Sequence, residues 1–309
     1  MVITRTTRNR LGGKTLRGFE SHHLRHNFRG RQCICLPFCV NTTKSKHIAF
    51  TIQKGKEMKG NYKFVGFPVI IDSIYNYVHT QCADYVYNGL MDDAIVIKTT
   101  QDDIENERKK TNEYDIIKQS TGDILDDEQL ESLAIYRKFC DIIYENDCIL
   151  MHGCAVSAYG KAYIFIADSG VGKSTHAKLW LYQFGNRAEI INGNNPVIKI
   201  ENGCINVYGT PWCGKEGLNK NVCIPLQAIC ILNRDKQNHI KEISENDAYA
   251  EILRQCYNSS QKNSLINIRS TLQRVFKSIN LYSLGCNMEA SAAIVAYEGM
   301  KNKIKKKII

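Results

Sequence analysis

A chain of 309 residues, 43% hydrophobic and 23% charged, has room for one large domain or two modest ones and is too apolar to be disordered. Its net charge of +10 invites a nucleic-acid reading, but residues 1–57 hold 12 Lys+Arg against 2 Asp+Glu while 58–309 balance 29 against 29. All of the excess sits in the first stretch, so nucleic-acid binding is disfavoured for the rest. No apolar run approaches the length of a membrane span and no secretory signal opens the chain, so a cytoplasmic protein is expected, with no membrane partner.

Residues 1–57 show neither helix nor strand periodicity. A transit peptide, a nucleic-acid-binding arm and upstream DNA translated from a wrong start all compete for them. Lys54-Gly55-Lys56-Glu57, directly before Met58, requires a purine-rich codon run ahead of an ATG. That favours Met58 as the true start and 1–57 as a spurious or disordered leader. Cys33, Cys35 and Cys39, with His22, His23 and His26, do not have zinc-site spacing. The thirteen cysteines include no CxxC pair and read as free thiols.

From Met58 onward the pattern becomes regular. Residues 61–75 and 93–99 read as strands of a small β-rich subdomain over about 60–105, and the polar stretch 100–124 reads as a loop or link. This gives 58–125 as an N-terminal subdomain with its link and 126–309 as the main domain. Residues 127–145 read as a helix capped at Asp126 or Asp127, with Leu130, Leu133, Phe139 and Ile143 on its apolar stripe. Short apolar runs follow at 148–152, 162–167 and 188–191. Glu201-Asn202-Gly203 signals a hairpin, 226–232 a strand, 246–257 and 263–278 helices, 281–284 a strand and 287–300 a last helix. The Lys-rich tail 301–307 reads as a solvated end.

The chemistry lies in Asp168-Ser169-Gly170-Val171-Gly172-Lys173-Ser174-Thr175. A strand, this turn and a helix to about Phe184 give a P-loop its required setting. Glycines at 170 and 172 let main-chain N–H groups converge on an anion. Lys173 would meet the outer phosphates of ATP or GTP, and the Ser174 hydroxyl would ligate Mg²⁺. Ser169, Val171 and Thr175 complete the cradle. The full pattern expects glycine where Ala167 stands.

Met151-His152-Gly153, the loop itself, Thr175-His176, Leu179-Trp180, Asn192-Gly193, Pro196 and Gly209-Thr210-Pro211-Trp212-Cys213-Gly214-Lys215 together resemble HPr serine kinase and a bacterial subgroup of its relatives. Those proteins share a fold with the ATP-type phosphoenolpyruvate carboxykinases. The resemblance implies an α/β P-loop core with a mixed central sheet, His152 beside the active site and Lys215 reaching substrate phosphate. It also implies phosphoryl transfer from ATP to a hydroxyl of a protein, peptide or metabolite, and brings a homo-oligomer with it, although no residue requires one. Trp212 reads as a packing residue, with a substrate wall as the alternative, and His176 as packing within its helix.

One departure matters. Where relatives carry acids after the third strand, this chain has Gly193 and Asn194, followed by Asn195 in place of lysine. An amide is no base at neutral pH. Either Asp168 or Glu216 substitutes, or the chain is a degraded, nucleotide-binding relative. A carboxykinase-like enzyme is a further alternative.

Overall fold

The computed structural model describes residues 58–118, 125–257 and 264–302, so the readings made on 1–57 lie outside it, as does most of the Lys-rich tail. β1 (Met58–Phe64) and β2 (Phe67–Ser73) form an antiparallel hairpin through Val65-Gly66, and β3 (Ile95–Lys98) pairs in parallel with β2. Alternate residues, among them Tyr62, Phe64, Val69, Ile71 and Ile97, are buried. A three-stranded sheet therefore lies where the small β-rich unit is expected, with a short helix, α1 (Tyr77–Gln81), in the connection from β2 to β3.

The stretch after β3 is a helix, not the loop its polarity suggests. α2 (Gln101–Lys118) starts at a reciprocal cap, in which Thr100 N donates to Asp103 Oδ2 at 2.9 Å and Asp103 N to Thr100 Oγ1 at 3.4 Å. Glu107 on its buried face is 3% exposed and pairs with Arg137 at 2.6 Å. Only Ile104 beside it is a buried apolar residue among those whose burial is described, and a face so mixed carries little periodic signal. Arg137 belongs to α3 (Asp127–Ile143), whose capping box joins Asp126 and Gln129. Glu131, fully buried in α3, accepts Ile74 N at 2.6 Å and Tyr75 N at 2.8 Å, tying the helix to the end of β2.

The remaining elements are β4 (Cys148–Leu150), β5 (Cys154–Ala158), β6 (Lys161–Ile166), α4 (Lys173–Phe184), β7 (Ala188–Asn192), β8 (Val197–Glu201), β9 (Cys204–Tyr208), β10 (Cys223–Arg234), β11 (His239–Ile243), α5 (Glu245–Gln255), α6 (Ser264–Ser278), β12 (Asn280–Cys286) and α7 (Ser291–Met300). Asn202 (φ 51°) and Gly203 (φ 72°) make the left-handed turn of the β8–β9 hairpin, as their sequence demands. β5 and β11 are strands that the hydrophobic pattern did not disclose.

β10 holds the architecture together. Its start, Cys223–Pro225, pairs antiparallel with β9 and continues into β8 and β4. After an irregularity between Leu226 and Ala228, its remainder lies parallel to β6 on one side and to β12 on the other. β5 and β7 extend the sheet beyond β6 in antiparallel fashion, and β11 closes the other side against β12. The fold is mixed α/β. Tyr163 and Phe165 of β6 face Trp180 of α4 and Ala293 of α7, while Ile164 and Ile166 face the core that includes Ile252 of α5 and Leu272 of α6. Helices thus cover both faces of this sheet. No helix among the described residues is long and apolar enough to cross a membrane.

Candidate functional site

Strand direction decides where the chemistry gathers. β6, β7 and β10 end at the same edge, and the antiparallel β5 begins there, with Cys154 opposite Phe165 and Ala155 opposite Asn192. Four segments therefore meet outside the strand ends, the usual place for a ligand in an open α/β sheet. They are the glycine loop 168–172, the turn 192–196, the His152-Gly153 pair and the end of β10.

The glycine loop runs from β6 into α4. Gly170 (φ 81°) and Gly172 (φ 124°) both occupy left-handed backbone, and a Cβ placed on either meets nothing within 4 Å. The chain thus uses glycine for backbone angle, with open space left in front of the turn. Gly172 caps α4 without any side-chain hydrogen bond, so the first amides of the helix are presented by main chain alone. Lys173 is buried, and its ammonium donates to the carbonyls of Ala167 at 2.8 Å and Asp168 at 3.3 Å, across the mouth of the loop. Ser169, Gly170 and Thr175 are exposed, and Val171 and Ser174 are half-buried. Ala167 is buried, and the turn closes with alanine at that position.

Opposite the loop stands a wall of amides. Asn192 is fully buried, and its carboxamide knots two loops together. The Oδ1 accepts Asn194 N at 2.9 Å and Asn195 N at 2.6 Å, while the Nδ2 donates to Thr210 O at 3.0 Å. Gly209 permits this approach, because a Cβ there would lie 1.9 Å from Lys220 O. Between the first turns of α4 and the wall is a cavity of about 200 Å³ lined by Ser174, Asn194, Lys215 and Glu216 among others, and no residue of the loop 168–172 lines it. Three of the expected site residues, Ser174, Asn194 and Lys215, are thereby brought together. Glu216, one of the two proposed substitute acids, shares the cavity and pairs with Lys178 at 2.9 Å. Asp168, the other, sits at the rim and pairs with Arg254 at 2.6 Å.

His152 is placed differently. It is buried, does not line the cavity, and its Nδ1 lies 2.9 Å from Gln255 Oε1. It adjoins the site through main chain, since Gly153 N donates to Asn194 O at 2.9 Å. A polar chain runs on from it: Gln255 bonds Glu251, Glu251 binds Arg254, and Arg254 binds Asp168 at the loop. Trp212 is fully buried against Phe64, Tyr136 and Phe139, with Nε1 donating to Ser132 at 3.2 Å, so it packs and forms no substrate wall. His176 also packs, edge-on to Phe165, with Nε2 accepting from Trp180 at 3.0 Å, and burial pushes its pKa down to about 4. Among the described cysteines the expectation of free thiols fails at Cys213, which is disulfide-bonded.

Two arginines at the site had no signal in the sequence. Arg234, at the end of β10, donates to the carbonyls of Gly170 and Val171. Arg254 reaches Asp168 from the last turn of α5. Only the pairing of β10 with β6 and the docking of α5 bring them there, and neither is written in local pattern.

The magnesium implied by the resemblance takes hard oxygen ligands, most of them water and substrate phosphate, with few from the protein. The cavity offers the Ser174 hydroxyl, one carboxylate already paired with Lys178, and the Asn194 amide, whose Nδ2 is buried without a hydrogen-bond partner. Among the described residues no group of three His, Cys, Asp or Glu could hold a metal. The Ser174 hydroxyl, and Glu216 beside it, are the groups in the cavity that would hold a magnesium ion carried in on substrate phosphates.

No family model matches the chain, and no curated protein does. Among solved structures, the Hpr(Ser) kinase/phosphatase from Coxiella burnetii matches over 41% of this chain and 89% of its own, with 10% identity and a TM-score of 0.23. A likeness that low carries no argument about this chain.

Proposed function

We propose that the chain binds a nucleoside triphosphate, ATP or GTP, by its phosphates on residues 169–175, within an α/β core of the HPr kinase and phosphoenolpyruvate carboxykinase type. The observation that carries this reading is the pair of left-handed glycines at the mouth of α4, with open space before them and Lys173 bridging the loop. The cavity of about 200 Å³ has room for a terminal phosphate between Ser174, Asn194 and Lys215, with the nucleoside outside it over the exposed loop.

Transfer of that phosphate to a hydroxyl of a protein, peptide or metabolite is the activity the resemblance implies. Lys215 would steady the phosphate, and the Asn192 knot would fix the wall behind it. His152, set back from the cavity and held by Gln255, would position the wall and not touch the substrate. The missing element is a base, since Asn194 carries no charge and losing a general base costs about 10²–10⁴ in rate. The reading is therefore a nucleotide-binding, kinase-like protein with slow transfer.

Calorimetry with ATP and GTP on the full chain tests it. Lys173→Ala removes a charge-assisted contact to phosphate and should weaken binding about 100-fold. A wild-type chain that takes neither nucleotide sinks the proposal.

A further inference from the structure

We infer that Arg234 is a positioning residue for phosphate binding: its guanidinium grips the glycine loop by two carbonyls and so fixes the direction of the Gly172 amide. This rests on the nucleotide reading above and concerns what holds the loop in shape.

β10 delivers the side chain. It runs parallel to β6 and pairs with it as far as Ile231 opposite Ile166, where β6 ends and the loop departs. β10 continues to Arg234, a further rise of about 10 Å. β12 supports that extension, with Leu232 opposite Leu284, Asn233 opposite Gly285 and Arg234 opposite Cys286. Asn233 Nδ2 also donates to Ser283 Oγ at 3.1 Å. The arginine therefore stands on paired backbone, beside a loop whose own bonds are few. Val171 N donates to Asp168 O at 3.3 Å, and Gly172 O accepts His176 N at 2.8 Å.

Arg234 adds two more, from Nη2 to Gly170 O at 2.5 Å and from Nε to Val171 O at 3.3 Å. One rigid fork thus holds two successive peptide units, which a lysine, a point charge on a flexible stem, does not reproduce. A trans peptide unit is planar, with its C=O and N–H on opposite sides. Turning Val171 O toward Arg234 therefore turns Gly172 N–H away from it, at the start of α4. The constraint matters because Gly170 and Gly172 lie at φ 81° and 124°, and an untethered glycine samples both halves of the φ range. A phosphate that had to order these angles itself would bind more weakly. Arg234 orders them beforehand and does not touch the phosphate.

The test is calorimetry of the full chain with ATP and with ADP, on the wild type, Arg234→Lys and Arg234→Ala. Position 234 is exposed, so both variants should melt as the wild type does. Both should bind ATP and ADP about tenfold more weakly, by similar factors, because loop amides take the inner phosphates that the two nucleotides share. Affinity within about threefold of the wild type in either variant overturns the inference, since the fork would then not be needed. A loss for ATP with none for ADP also overturns it, because the guanidinium would then contact the outermost phosphate directly. Both of those results leave the nucleotide reading standing, whereas a wild-type chain that binds neither nucleotide brings down both. Backbone ¹⁵N relaxation of the ligand-free chain gives a second measurement. Residues 170–172 should be rigid in the wild type, with order parameters about 0.85, and fall below about 0.6 in Arg234→Ala. Unchanged order in that variant overturns the inference whatever the affinities.

Discussion

At the mouth of α4 Gly170 and Gly172 turn the backbone through left-handed angles and leave Lys173 lying across the loop; in the turn after β7, Asn192 spends its whole carboxamide holding residues 193–195 against Thr210, and Asn194 stands where an acid is expected. The first is made of main-chain N–H groups and a fixed cation, and the second of neutral amides. On the proposed reading, the contrast teaches that gripping a phosphate and moving it would be separable. The grip would depend on backbone geometry that two glycines secure. The movement would depend on the ionisation of a side chain, and an amide at 194 supplies none.

The most direct way to break this contrast is to give the wall its charge back. Asn194→Asp puts a carboxylate into the cavity beside Ser174 and Lys215. If the missing base limits the reaction, release of phosphate from ATP in magnesium should rise by about 10²–10⁴ over the wild type. An unchanged rate would mean that the wall is not the missing half, and the loop and the wall would not belong to one reaction.

The cradle side can be tested through stability. His176, on the first turn of α4, is 2% exposed, and burial lowers its pKa from the ordinary 6.5 to about 4. The unfolded chain therefore binds more protons than the folded one between those values. The stability that His176 contributes is complete above about pH 6.5, falls as pH drops toward 4, and is gone below it. The full loss is about 3 kcal/mol. Urea melts between pH 4.5 and pH 7 should show it, and His176→Gln, which keeps an acceptor for Trp180, should flatten that slope by about 2 kcal/mol. An identical slope in the variant would mean that the α4 core opens to water more readily than its packing indicates.

Much of the cradle was legible because it is local. Lys161–Phe184 contains its own strand, turn and helix, and the glycine angles follow from the residues themselves. The hairpin at Asn202-Gly203 and the cap at Asp126 were legible for the same reason. The identity of the amide wall could be read as a departure, but its structural purpose could not. That Asn192 ties Thr210 to residues 194 and 195 depends on segments far apart in the chain. α2 escaped because, of its buried residues Ile104, Glu107 and Thr111, only Ile104 is apolar, and β11 because only its pairing with β12 makes it a strand. His152 was expected beside the active site; it lies one main-chain hydrogen bond back from the cavity, behind Gly153.

The smallest effect concerns the rim, where the cradle meets α5. Arg254 and Asp168 are paired at 2.6 Å, but their side chains are 33% and 60% exposed. An exposed pair of this kind contributes at most about 1 kcal/mol. Arg254→Ala should therefore lower the melting temperature by no more than about 3 °C. Its effect on ATP affinity separates two roles. If Arg254 only steadies Asp168, the loss should stay below about threefold, and Asp168→Asn should show the same small loss. A loss above tenfold for Arg254→Ala with an unchanged melt would place the guanidinium on the phosphates, because a rim ion pair is too weak to produce it. The cation count of the cradle side would then rise by one, and the contrast with its neutral wall would sharpen.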